Sequence, residues 1–153
     1  TRHIAIVPKS RAQQPVANIA DPTSRRILLI EDEALIAMQL KLDLEAEGHT
    51  VIGPFAQLSE GLRAASESNF DIALVDINLG ADNSAPIAEI LDRRMIPFAF
   101  TTGYNDLVFL PPRLRDYPHL KKPYNPADVT NLIKMLADRV DEQHAANTSN
   151  QVA

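Results

Sequence analysis

Three short runs in this chain, ILLI (27–30), IALV (72–75) and IPFAF (96–100), are apolar without alternation. A strand with one wet face reads apolar and polar in turn. A continuous run must be covered on both faces. A chain with several such runs has to supply helices above and below one sheet. Further strand-length runs lie at 50–52 and, more weakly, at 119–120. Helical spacing fills the gaps between them. Leu35, Met38 and Leu42 recur at i, i+3 and i+7, and that segment stops at Gly48, a good C-terminal cap. Leu58, Leu62 and Ala65 repeat the pattern, with Gln57 or Ser59 near the start. Ile87, Ile90 and Leu91 mark a third helix with Pro86 in its first turn, where proline is tolerated. Val129, Leu132, Ile133, Leu136 and Val140 form the clearest stripe, preceded by Asn125 as cap and Pro126 as first-turn residue.

Strands alternating with helices imply right-handed crossovers and a parallel sheet. The pattern predicts an α/β, flavodoxin-like, doubly wound fold with five parallel strands in the order 2-1-3-4-5. The segment 105–118 holds Pro111, Pro112 and Pro118, so the fourth helix is expected to be short, irregular or missing.

The 153 residues suffice for one domain, placed at 25–141. Residues 1–24 are expected to be linker, tail or the remnant of an upstream domain, with 4–7 (IAIV) as a stray strand. Residues 142–153 are polar and expected to be a disordered tail. The first residue is Thr rather than Met, which leaves open whether an initiator was removed or the chain was cut from something longer. There is no cysteine, so disulfides, thiolate catalysis and cysteine-bound zinc are excluded. The histidines His3, His49, His119 and His144 show no metal-ligand spacing. A net charge of -5 argues against sequence-independent nucleic-acid binding. No apolar run approaches the roughly 20 residues that span a bilayer, and no signal peptide is visible. The expected location is cytoplasmic, with no membrane or direct nucleic-acid partner.

In open α/β sheets the binding crevice lies beyond the carboxyl ends of the strands. Glu31, Asp32 and Glu33 follow the first run, and Asp76, Ile77 and Asn78 follow the third. Thr101, Thr102 and Gly103 follow the fourth; Lys121, Lys122 and Pro123 follow the fifth. Clustered carboxylates repel unless a hard cation neutralises them, and an all-oxygen donor set suits Mg²⁺. A carboxylate beside Mg²⁺ is a nucleophile toward phosphorus. Such a transfer needs chiefly positioning and charge stabilisation, with the Lys122 ammonium pairing to the phosphate and the Thr102 hydroxyl donating to it. Each residue also has an ordinary reading: helix-start acids at 31–33, a turn acid at Asp76, turn chemistry at 102–103 and a solvated pair at 121–122. Their joint placement at consecutive strand ends favours the functional one.

The segments ILLIEDE (27–33), ALVDINL (73–79), FTTGY (100–104) and KKPY (121–124) resemble the signature segments of bacterial two-component receiver domains. The resemblance implies that Glu31 and Asp32 are the acidic pair, with Asp32 a direct Mg²⁺ ligand. It implies Asp76 as phosphoacceptor and metal ligand, the Asn78 backbone carbonyl as a further ligand, Thr102 as switch hydroxyl and Lys122 as phosphate-binding lysine. It also implies a cis Lys122–Pro123 bond. FTTGY is similar to a narrower F-A-T-G-Y subgroup, with Thr101 where that subgroup carries Ala and Tyr124 where Phe is commoner. Tyr104 and His119 are then the switch and output candidates, His119 standing three residues before Lys122. The implied function is a phosphoacceptor switch, not an enzyme on other substrates, with a histidine kinase or histidine phosphotransfer protein as donor and an unnamed downstream partner. Self-association as a homodimer stays open. So do three further readings: the carboxyl-terminal receiver of a hybrid kinase, a non-phosphorylated interaction module, and a haloacid-type phosphatase. The last wants a second acid two residues after the nucleophile, where Asn78 stands.

Overall fold

The computed structural model describes residues 23–151; the expected strand at 4–7 and most of the expected linker lie outside them. The elements run β1 (Arg26–Ile30), α1 (Ala34–Ala46), β2 (Thr50–Phe55), α2 (Leu58–Glu67), β3 (Ile72–Asp76), β4 (Asn78–Leu79), β5 (Asp82–Asn83), α3 (Ala85–Arg93), β6 (Phe98–Thr102), β7 (His119–Lys121) and α4 (Pro126–Asn150). Five strands form one sheet in the order β2-β1-β3-β6-β7, every neighbouring pair parallel. Without the small β4–β5 pair, this is the predicted 2-1-3-4-5 order.

The non-alternating runs are buried on both faces. Ile27, Leu29, Ile72, Leu74 and Ala99 pack with Leu40 and Leu44 of α1 and with Val129, Ile133, Leu136 and Val140 of α4. Leu28, Ile30, Ala73, Val75, Phe98 and Phe100 pack on the other side with Ala64 and Ala65 of α2 and with Ile87, Ala88 and Leu91 of α3. Each such Leu, Ile, Val or Phe contributes about 1.5–3 kcal/mol of transfer free energy. The two layers hold the strand ends in a fixed row.

The helix ends follow local chemistry. Gly48 closes α1 at φ +91°, a left-handed conformation that costs glycine nothing. Its N–H donates to the Glu45 carbonyl. At α4, the Asn125 side chain accepts from the Asp128 N–H while the Asp128 carboxylate accepts from the Asn125 N–H, a reciprocal cap. Between β6 and β7, where the fourth helix of the fold is expected, no α-helix forms. Two 3-10 turns, Asp106–Phe109 and Pro112–Leu114, occupy the proline-rich segment, and Leu110 and Leu114 from it are buried in the α2/α3 layer. The Lys122–Pro123 bond is cis, and so is Gly53–Pro54.

Three features differ from the sequence expectation. Leu35, Met38 and Leu42, whose spacing reveals α1, are 86%, 57% and 53% exposed, while Ala37, Leu40 and Leu44 face the sheet. The helix is apolar on two sides, so periodicity finds the helix without choosing the face. The disordered tail expected from 142 is corrected over most of its length, because α4 continues to Asn150. Residues 141–150 contain neither Pro nor Gly, and an established helix propagates at little cost. The β4–β5 hairpin was not expected. Two-residue strands carry no apolar signature; the turn is legible only in Gly80, at φ +63°.

Candidate functional site

β1 and β3 run in register with Ile30 beside Val75, so the next residues, Glu31 and Asp76, stand side by side. Asp76 pairs in turn with Thr101 of β6, and Thr101 with Leu120 of β7. Because β1 and β3 are covered on both faces, the first polar residues beyond the apolar runs are still nearly enclosed. Glu31 is 1% exposed and Asp76 3%. Sequence thus places two carboxylates next to each other with little water between them.

Among the described residues, one cation answers them. The N–H of Lys122 donates to the Thr102 carbonyl at 2.7 Å, which fixes the lysine at the end of β7. Its Nζ then lies 2.7 Å from Glu31 Oε1, 3.1 Å from Asp76 Oδ2 and 3.3 Å from Glu33 Oε1. Asp32 completes the acidic group at the solvent side. Its Oδ2 accepts from the Gly80 N–H at 2.8 Å, so the β4–β5 turn closes over it. The Asn78 N–H reaches back to Asp76 Oδ1 at 3.4 Å.

The charges do not balance. Burial, reinforced by the hydrogen bond and repulsion from Glu31, pushes the Asp76 carboxyl up to about 9 despite the opposing pull of Lys122. Burial works to lower Lys122, but Glu31 and Asp76 overcome it and raise the ammonium above its ordinary value. Burial, then the Glu31 charge, raises the Tyr124 phenol as well. Oxygen atoms of Glu31, Asp32 and Asp76 all lie within 4.8 Å of one another. Three convergent acidic oxygens that one ammonium cannot neutralise fit a hard divalent cation of the Mg²⁺ type.

Of the sequence-predicted residues, the structure brings Glu31, Asp32, Asp76 and Lys122 into one cluster. Thr102 ends β6 next to them, 3% exposed. Tyr104 and His119 stand apart from the cluster. Tyr104 is 84% exposed, and His119 is exposed at the start of β7, its Nδ1 3.0 Å from the Tyr117 carbonyl. Sequence reasoning passed over four participants. Glu33 was visible as an acid but was not given a role at the lysine. Gly80 donates from an unforeseen hairpin. The hydroxyls of Thr101 and Tyr124, both buried without a hydrogen-bond partner among the described residues, sit at the two positions where the FTTGY and KKPY segments depart from the commoner pattern.

No protein-family model matches the chain. It is 34% identical over 118 residues to the phyllosphere-induced regulator PhyR of Methylorubrum extorquens, covering 75% of this chain and 44% of PhyR. The chain thus spans less than half the length of that relative. Among solved structures, SdrG from Sphingomonas melonis Fr1 is 37% identical with a TM-score of 0.67, over 75% of this chain and 98% of SdrG. The signal receiver domain of a modulated diguanylate cyclase from Desulfovibrio desulfuricans G20 is 30% identical with a TM-score of 0.69, over 78% and 98% of the two chains.

Proposed function

Because the chain belongs to the receiver-domain family of two-component response regulators, we propose that it works as a phosphoacceptor switch with Asp76 as the acceptor. Receiver domains are signalling modules rather than enzymes acting on separate substrates. The observation that carries the proposal is the setting of Asp76. It ends the central strand β3, 3% exposed, with Glu31 on one side and the Lys122 ammonium 3.1 Å from its Oδ2.

In the proposed reaction an Asp76 carboxylate oxygen attacks the phosphorus of a phosphohistidine on a kinase or phosphotransfer protein. The new O–P bond forms as the P–N bond breaks, and the imidazole leaves with its electron pair and takes a proton from solvent. Glu31, Asp32 and Asp76, with the Asn78 carbonyl, are the residues that would hold Mg²⁺, which supplies charge neutralisation for the phosphoryl oxygens when bound. Lys122 exchanges a carboxylate partner for a phosphoryl oxygen, and the Thr102 hydroxyl donates to a second one. The Tyr104 loop, the adjoining 3-10 turns and His119 then form the surface through which the change is read. The downstream partner is a protein contact of this surface.

A beryllofluoride titration tests the proposal. With Mg²⁺ present, the amide resonances of Thr102, Gly103 and Lys122 should shift together and saturate. Asp76→Asn should abolish the shifts. Shifts that persist in Asp76→Asn, or that need no Mg²⁺, would refute the assignment.

A further inference from the structure

Glu33 occupies the N-cap of α1, where a short polar side chain ordinarily accepts from the free N–H groups of the first turn. It makes no such side-chain hydrogen bond, and the first turn of α1 carries no other acid. Its carboxylate instead reaches across the strand ends to Lys122, 3.3 Å from Nζ. An ammonium has three N–H donors. Here three acidic side chains surround it, Glu31 at 2.7 Å, Asp76 at 3.1 Å and Glu33 at 3.3 Å, and the ammonium donates to Asp76 and Glu33, so Glu33 holds a donor that an incoming oxygen would need.

The three partners are unequal. The Glu31 and Asp76 side chains are 0% and 4% exposed, so either group, if it lost the lysine, would have no water to take its place. The Glu33 side chain is 61% exposed, makes the longest of the three contacts and returns to water at small cost. We infer that Glu33 is a resting-state brake on Lys122, the partner that the lysine releases when a phosphoryl oxygen arrives. This rests on the reading of Asp76 as phosphoacceptor. Glu33 acts in two ways with the same sign. It holds the lysine away from the phosphoryl position, and its negative charge at the rim repels a dianionic donor before contact.

Acetyl phosphate provides the probe reaction. An Asp76 oxygen bonds to phosphorus, the bond from phosphorus to the acetyl oxygen breaks, and acetate departs with the electron pair. The attack starts from the ionised carboxylate, a resting Asp76 proton having gone to solvent, and no further reactant is needed. The experiment compares Glu33→Gln, Glu33→Asp and wild type, with Mg²⁺, at low and high salt. Glu33→Gln should raise the second-order rate of phosphorylation about two- to five-fold at low salt, the range of an exposed ion pair. The gain should shrink as salt screens the charge, and should be smaller with phosphoramidate, which carries less negative charge at neutral pH. Glu33→Asp keeps the charge but shortens the reach, so it should fall between the two. A merely structural role would not produce a dependence on donor charge and salt. If wild type is phosphorylated on Asp76 while Glu33→Gln reacts at the wild-type rate or slower at low salt, the brake is overturned and the acceptor stands. If wild type takes no phosphoryl group at Asp76, the acceptor reading fails and the brake falls with it.

Discussion

The two ends of β3 are equally buried and opposite in character. Ile72, Ala73, Leu74 and Val75 are 0% exposed and surrounded by apolar layers on both faces. One residue further, Asp76 is 3% exposed among other acids, with the Lys122 ammonium 3.1 Å from its Oδ2. The same enclosure stabilises the first four residues and works against the fifth. Burial of an apolar side chain is favourable in proportion to its area. Burial of a charge is unfavourable unless partners fully compensate it. The strand therefore holds its terminal carboxyl in a state that a cation can improve.

The largest effect should come from the apolar part. Leu74→Ala removes a fully buried side chain from the α1/α4 layer and should cost about 2–5 kcal/mol in urea unfolding. At the other end the sign should reverse. Without divalent ions, Asp76→Asn removes an acid that Lys122 does not fully compensate, and should stabilise the protein by about 1–3 kcal/mol. Adding Mg²⁺ should then raise the Tm of wild type and leave the variant nearly unmoved, since only a state that binds the ion gains from it. Destabilisation by Asp76→Asn would break the contrast between the two ends.

The pH dependence sharpens it. With the Asp76 carboxyl pushed up to about 9, the folded protein keeps a proton that the unfolded chain releases near the ordinary carboxylate value. Stability then falls as pH rises through that window. The raised Lys122 adds no slope there, because it is protonated in both states until more alkaline pH. The difference between wild type and Asp76→Asn, measured without divalent ions from pH 5 to 9, should therefore widen in favour of the variant. The smallest effect belongs to α1. Leu35 is 86% exposed, and Leu35→Ala should change stability by less than about 0.5 kcal/mol, whereas Leu40→Ala should cost several times more.

Helices α1 and α4 show how far the sequence could be read. Both cover the same face of the sheet. In α4 the visible stripe, Val129, Ile133, Leu136 and Val140, is the buried one, because its other faces are polar. In α1 the visible stripe is the solvent-facing one, because Leu40 and Leu44 offer a second apolar face that the sheet selects. The fold was legible because continuous apolar runs demand cover on both sides. The acidic cluster was legible because strand ends in a parallel sheet converge. Side-chain reach was not. Nothing in the order of residues says that Glu33 turns from its own helix toward Lys122, or that Gly80 comes back to Asp32 through a hairpin of two-residue strands. Those contacts depend on loop geometry, which local periodicity does not encode.

The most direct measurement is peptide mapping by mass spectrometry after incubation with Mg²⁺ and acetyl phosphate. One acid-labile phosphoryl group should appear on the peptide containing Asp76, vanish in Asp76→Asn, and fail to form when Mg²⁺ is chelated. A phosphoryl group on another residue, or full phosphorylation of Asp76→Asn, would contradict the assignment of Asp76 as the acceptor.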